Sequence, residues 1–425
     1  MPLPLPPDTP KDYPPSHLPP RWFRLQELAH LFLKLGLLGF GGPSAHIAMI
    51  HDEAVVRRRW FTEAQFLEGV AICEMLPGPA STQMGIYTGY LRAGQLGALV
   101  TGICFILPAF LIVLALSWAY FRFQGVPQVE DLFLGVAPVV VAIILGFCWK
   151  LAKRVIQDWQ GGAIALVALF SIFFRANVLL LFLLAGLVGL VIYRSQTPPD
   201  PPEPSSPRGF LWPLLPLGPL FSHRLATIPA ATLTLSSFWG LERIQEFVLP
   251  LALFFLKVGS VIFGGGLVII PLLEFEVVHQ FHWLTQNEFM NGVVLGELTP
   301  GPVVITAAFV GYKVAGALGA LVATIAIFTP SFLLIMGTAP FLVRVRQHPW
   351  AQSFLKGVTP AALGSITAAA LPLARAAILQ RTLAGSTLAA MIGLVALVAL
   401  VQFKRPTWQL VPAGALVGLL GGTFL

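Results

Sequence analysis

The stretch FLKLGLLGFGG at Phe32–Gly42 returns as FLKVGSVIFGG at Phe255–Gly265. The same shift of 223 positions (Phe32 to Phe255) carries Glu53 onto Glu276, Trp60 onto Trp283, Thr62 onto Thr285, Phe66 onto Phe289 and Gly69 onto Gly292. It also carries Glu74 onto Glu297 and Pro77-Gly78-Pro79 onto Pro300-Gly301-Pro302. One residue is then lost, and a shift of 222 (Gly89 to Gly311) pairs Gly89-Tyr90 with Gly311-Tyr312, Gly94 with Gly316, Pro108 with Pro330 and Pro138 with Pro360. Identities spread this widely on one register, with a single slip, mark a unit used twice.

What kind of unit follows from composition. Of the 425 residues, 56% are hydrophobic and 11% charged, with a mean hydropathy of +0.81. Soluble domains carry about 25% charged residues, so this chain cannot clothe itself in polar groups. An ordinary cytosolic enzyme, a secreted disulfide scaffold and a disordered protein are all excluded. Cys73, Cys104 and Cys148 are odd in number and form no C-x-x-C pair, and His279 and His282 have no third ligand beside them, so no metal or cofactor is expected. The net charge of +7 resides largely in residues flanking apolar runs, which fits membrane topology rather than nucleic-acid binding. The chain reads as an all-α polytopic membrane protein embedded in a lipid bilayer.

Residues 1–24 form a Pro-rich tail, 25–194 the first repeat, 195–245 a Pro-rich linker and 246–425 the second repeat. In the first repeat, 25–50 is a Gly/Pro-interrupted stretch and 63–92 two short helices around the Pro-Gly-Pro turn. Apolar runs at 95–121, 129–149, 160–175 and 176–193 follow. The second repeats the pattern at 246–273, 286–313, 317–342, 352–374, 381–402 and 407–424. Arg57–Arg59 lie after the first element of one repeat, whereas the matching loop EFEVVHQFHW has no Lys or Arg. Equivalent loops of opposite positive content belong on opposite sides. With 25–50 crossing once and 63–92 dipping in and returning, each repeat crosses five times, about ten spans in all. An odd unit duplicated in tandem is inverted, the plan of many secondary transporters. On this count Arg21 and Arg24 fall outside, against the positive-inside rule.

Lys34, Lys257, Glu74 and Glu297 sit where lipid depth makes a charge expensive, so they should face a partner or a watery cavity. Lys34 recurs as Lys257 at the same place in both repeats, which favours an interior role over snorkelling to an interface. Gly41-Gly42-Pro43, Gly264-Gly265, Pro77-Gly78-Pro79 and Pro300-Gly301-Pro302 break helices. Broken helices are tolerated at depth only where they are protein-buried or line a cavity, and each restart exposes N–H groups suited to an anion. Ser44, Ser81, Thr82 and Thr306 add hydroxyls. The alternative is that these breaks serve tight helix packing. Glu74 and Glu297 are either proton carriers or structural partners of Lys34 and Lys257 respectively. His46 is either a core histidine or a relay.

The paired F-G-G-P/G and E-x-x-P-G-P elements, with W-x-T-x-x-x-F between them and G-Y-x-x-x-G-x-x-G after, resemble the chromate ion transporter family in its long two-domain form. The resemblance covers about 30–190 and 250–425; Gly266 departs from it where the first repeat has Pro43. It implies a non-enzymatic carrier in the plasma (inner) membrane that exports chromate, driven by membrane potential or proton gradient and conferring chromate resistance. Sulfate is implied as a competing analogue. It also implies substrate-site roles for Phe40-Gly41-Gly42-Pro43, His46, Glu74, Pro77-Gly78-Pro79 and their second-repeat partners. A carrier of sulfate or another tetrahedral oxyanion is the alternative. Nucleic acid is not an expected partner, and a homo-oligomer is allowed for.

Overall fold

A computed structural model describes residues 19–123, 125–174, 178–193, 238–262, 266–346, 349–379, 382–403, 405 and 407–422. Most of the Pro-rich tail and of the linker, with Gly264 and Gly265, lie outside the described residues. Those that are described form helices and no strand.

The first repeat opens with α1 (Arg21–Leu38) and α2 (Gly42–His51), the latter continued by a π-helical turn at Asp52–Arg57. Gly41 at φ 107° turns the chain between them and Pro43 fits the first turn of α2, where no N–H is needed. Here the structure corrects the sequence reading, because α2 folds back along α1 instead of crossing. Arg58 Nη1 lies 3.9 Å from Glu27 Oε1 and Lys34 Nζ lies 3.4 Å from Glu53 Oε1. Residues 21–57 are therefore a return hairpin with both ends on one side. The second hairpin is α3 (Glu63–Met75) with the first arm of α4 (Ala80–Phe123). A Thr62–Gln65 capping box starts α3. Each arm is about 20 Å long, too short for a core of about 30 Å.

α4 then reverses at Ala93 (φ −142°, ψ 15°) and Gly94 (φ 71°, ψ −154°), and its long second arm lies against the first. A Cβ on Gly89 would strike the Gly97 carbonyl and the reverse also holds, so only glycine permits this approach. α5 (Pro127–Val155), α6 (Trp159–Phe173) and α7 (Val178–Ile192) complete the repeat. Tyr193 Oη donates to Asp158 Oδ1 at 3.0 Å, closing α6 and α7 into a hairpin.

The second repeat reproduces this order. It has α8 (Leu241–Gly259), a 3-10 turn at Gly266–Val268, α9 (Ile269–Leu273), a π-helical turn at Glu274–Gln280 and α10 (Gln286–Leu298). α11 (Thr306–Arg346) breaks at Ala315–Gly316, and α12 (Pro349–Ile378), α13 (Leu383–Val401) and α14 (Thr407–Gly422) follow. α1 and α8 begin a few residues ahead of the repeat boundaries read from sequence. Among the described residues, five helices are long and apolar enough to cross a membrane, within α4, α5, α12 and α13 and from Val303 into α11.

The halves are mutually upside down. The long arm of α4 starts beside Arg24, whose Nη1 donates to the Arg92 carbonyl at 2.6 Å. About 40 Å further on it ends among the entry residues of the other half. There Asn291 Nδ2 donates to Tyr120 Oη at 3.0 Å and Phe121 stacks on Phe309 and Tyr312. Inversion thus holds, although the odd-crossing argument for it does not. The hairpin also removes the anomaly of the tail, since Arg21 and Arg24 share an end with Arg57–Arg59 and Arg92. Aqueous labelling of single cysteines should place positions 21–24 and 57–59 on one face of the membrane and 240–243 and 280–282 on the other. Reaction of both sets from one side would refute the inversion.

Candidate functional site

The first half's two hairpins and the second half's α10–α11 hairpin end in turns that the chain cannot continue through as helix, and across the halves the hairpin ends touch in two pairs. Gly78 N–H donates to the Ile262 carbonyl at 2.6 Å, and Gly301 N–H donates to the Gly39 carbonyl at 2.8 Å. These are the same contact twice, since the register that carries Gly39 to Ile262 carries Gly78 to Gly301. Gly78 at φ 132° and Gly301 at φ 103° hold a conformation that L-residues with side chains rarely adopt.

The electrostatics follow from which backbone groups are consumed. The Gly39 and Ile262 carbonyls lie at the C-terminal ends of α1 and α8, where a helix is partially negative. The opposite half's glycine N–H satisfies each. What remains around the tips are the starts of α2 at Gly42 and α4 at Ala80, and the 3-10 turn Val303–Ile305 leading into α11. Their unbonded N–H groups favour a negative ligand.

Polar side chains crowd the same place. His46 is buried, its Nε2 lies 2.8 Å from the Gly39 carbonyl and its ring meets Phe105 edge-on. The proton is on Nε2, since the carbonyl can only accept. Gln83 Nε2 donates to the Pro77 carbonyl at 2.7 Å. Among the described residues, His46 Nδ1, Thr82 Oγ1, Gln83 Oε1, Ser331 Oγ and Glu297 Oε1 are buried without a hydrogen-bond partner. Thr306 spends its hydroxyl on the Val303 carbonyl at 2.9 Å. Ser44 is exposed, whereas Ser81 is buried.

The lysines have other partners than the sequence suggested. Lys34 binds Glu53 at 3.4 Å and Lys257 binds Glu276 at 2.5 Å, so neither forms the structural pair with Glu74 or Glu297. The π-helical turns explain this, since each folds a carboxylate back beside the lysine four to five residues from its tip. Glu53 also faces Arg57 at 3.6 Å and Arg58 at 3.2 Å. Burial alone would raise its carboxyl pKa, but hydrogen bonds from Arg58 and Lys34 and their charges hold it below the usual range. Glu74, at the end of α3, is exposed, whereas Glu297 at the end of α10 buries one oxygen.

Gln83 and Ser331 escaped the sequence reading. Gln83 follows Ser81-Thr82 and Ser331 lies two residues after Thr329, and in sequence such residues look the same as ones satisfied within their own helices. The available signal was positional: Ser331 follows Pro330, whose partner Pro108 is followed by Ala109, so the halves differ there.

Residues 26–190 and 249–419 each match the family described as Chromate transporter. The Chromate transport protein of Cupriavidus metallidurans is 36% identical over 404 residues, covering 94% of this chain and 93% of that protein. The Probable chromate transport protein of Synechococcus elongatus is 38% identical over 355 residues, covering 83% and 85% respectively. An uncharacterized transporter of Methanocaldococcus jannaschii is 28% identical over 337 residues, covering 79% and 81%. No solved structure matches the chain.

Proposed function

The chain belongs to the chromate transporter family, and from that premise we propose that it exports chromate across the plasma membrane through the place where these hairpin ends meet. It is a multi-pass membrane protein. The observation that carries the reading is the crossed pair of tip hydrogen bonds, Gly78 to Ile262 and Gly301 to Gly39. It sets helix starts from two inverted halves around one point, and parting the tips toward one end or the other gives alternating access.

In this reading Gly41, Gly42, Pro43, Pro77–Pro79 and Pro300–Pro302 shape the anion site, with Gly264 and Gly265 as partners outside the described residues. Lys34 and Lys257 supply positive charge near it, and Ser44 and His46 flank the first tip. The arginine-rich end is cytoplasmic by the positive-inside rule, so its charge gathers anions at the entry mouth. Membrane potential or a proton gradient drives export, sulfate competes, and chromate resistance follows. Glu74 and Glu297 are the proton-handling groups, with Glu297 the more important because its buried oxygen has no hydrogen-bond partner among the described residues.

Chromate uptake into inverted vesicles tests the proposal. Uptake should be energised, fall when the gradients are collapsed and be inhibited by sulfate. Glu297→Gln should uncouple uptake from an imposed proton gradient by about tenfold or more, in line with loss of a group that acts in proton transfer, and Glu74→Gln by less. Energised movement in the opposite direction would sink export. Equal gradient dependence in wild type and both variants would return the carboxyls to a structural role.

A further inference from the structure

We propose that a crevice between α5, α6 and α12 binds an anionic phospholipid, with one acyl chain lying in the crevice and the phosphate meeting Lys150 and Lys153 at its mouth. The inference goes beyond the transport reading and does not depend on it.

The crevice has a volume of about 310 Å3, at the small end of ligand-holding clefts of about 300–1,000 Å3. It exists because α6 packs unevenly on its neighbours. A Cβ on Gly364 of α12 would strike the Ala165 carbonyl, so the two backbones touch there. Nearer the start of α6, a Cβ on Gly162 would meet nothing closer than Ile156 at 3.6 Å, and the space stays open. Trp149 and Ile156 line it from the α5 side, Leu166 from α6, and Leu363 and Thr367 from α12.

The chemistry of that lining selects the occupant. Its side chains are mostly apolar, and Thr367 spends its hydroxyl on the Leu363 carbonyl at 2.8 Å, so water or an ion finds few partners there. Trp149 and Leu166 are exposed, which leaves the crevice open at the surface. In a multi-pass membrane protein, what reaches such an opening is a lipid chain.

The headgroup follows from the residues at the mouth. Lys153 Nζ sits over the Trp149 ring, 4.8 Å from its centroid, and Lys150 is exposed beside that tryptophan. Lys356 Nζ lies 5.6 Å from the centroid of the Tyr193 ring at the same end. The carboxylate there, Asp158, already accepts from the Gly161 N–H at 2.7 Å and the Tyr193 hydroxyl at 3.0 Å. Three ammonium groups against one satisfied carboxylate leave this end positive. Exposed Trp149 and Trp159 mark it as the level of the headgroups, where such rings collect. A basic pocket between membrane helices suits an anionic headgroup, whereas a zwitterionic one brings its own cation and gains less. Because α5 and α6 belong to the first repeat and α12 to the second, a lipid bound here also stabilises the seam between them.

Native mass spectrometry of the detergent-purified full-length protein, titrated with phosphatidylglycerol and separately with phosphatidylcholine of the same acyl chains, tests the site. Wild type should bind phosphatidylglycerol about tenfold or more tightly than phosphatidylcholine. Lys150→Gln/Lys153→Gln should bind the two alike. Gly162→Leu fills the crevice and should weaken phosphatidylglycerol binding by about tenfold or more. It should not lower the unfolding temperature of the delipidated protein, since leucine suits a helix better than glycine. Phosphatidylglycerol brominated on its chains should quench tryptophan fluorescence in wild type and by less in Trp149→Phe. Equal binding of both lipids by wild type, or a headgroup preference that survives the double lysine variant, would overturn the proposal. Unweakened binding by Gly162→Leu, or equal quenching in Trp149→Phe, would place the chain elsewhere on the surface, with the same consequence. A mass of two chains that is abundant in wild type and lost in Gly162→Leu would assign the crevice to a second copy and likewise overturn it.

Discussion

Alanine at Gly78 is expected to reduce chromate uptake into inverted vesicles by about a hundredfold, with the protein still present in the membrane. Two costs add at this position. At φ 132° the backbone lies where a Cβ is strained by about 1–3 kcal/mol. The new methyl also strikes Gln83 Nε2 and Ser331 Oγ, and moving either one opens the tip or breaks the bond to Pro77, at a further cost of about 1 kcal/mol or more. Together these reach about 3 kcal/mol, and 1.4 kcal/mol is a factor of ten. Gly42→Ala separates the two costs. Gly42 has φ 77° but nothing within 4 Å of a Cβ, so it bears backbone strain alone and should lose less than about tenfold. Gly301→Ala should fall between them, its φ of 103° and a methyl neighbour at 2.9 Å giving strain with a softer clash. Uptake by Gly78→Ala at or above that of Gly42→Ala would show that the tip contact does not govern transport.

How far the sequence revealed this site depends on the distance over which a contact acts. The duplicated register identified Lys34 with Lys257, Glu53 with Glu276 and both Pro-Gly-Pro turns, because those are local identities repeated. The reversal at Gly94 was legible as the gap between 92 and 95. The partner of Lys34 was not, because Glu53 reaches it only when α2 turns back at Gly41, and a Gly-broken apolar run reads equally well as one crossing. Chemistry exchanged between equivalent positions was equally hidden. His51 pairs with Glu63 at 2.7 Å in the first half, while in the second Glu274 pairs with Gln286 at 2.8 Å. The contact is the same with the carboxylate on the other side, which an alignment of identities passes over. Ser331 belongs to the same class, since its role depends on a helix of one half reaching the tip of the other.

The lysines provide the second large effect, and the surroundings of their carboxylates predict different costs in the two halves. Glu276 is 4% exposed and its ion-pair partner among the described residues is Lys257. Lys257→Ala should destabilise the protein by about 2–3 kcal/mol, below the value for a fully buried pair because the lysine keeps 39% of its side chain exposed. Removing the stranded charge in Lys257→Ala/Glu276→Ala should recover most of that loss. Lys34 is different, since Arg57 and Arg58 also face Glu53. Lys34→Ala therefore leaves the carboxylate neutralised and should cost at most about 1 kcal/mol in stability. It is the cleaner test of function. If Lys34 attracts the anion, the single variant should unfold like wild type yet lose about tenfold or more in uptake, and Lys34→Ala/Glu53→Ala should not regain it. A lysine that only braces the hairpin gives the opposite pattern, with transport following the unfolding temperature and the double variant recovering both. Uptake and thermal unfolding measured on the same four proteins decide between an ion-attracting charge and a strut, because the two roles move these readouts independently.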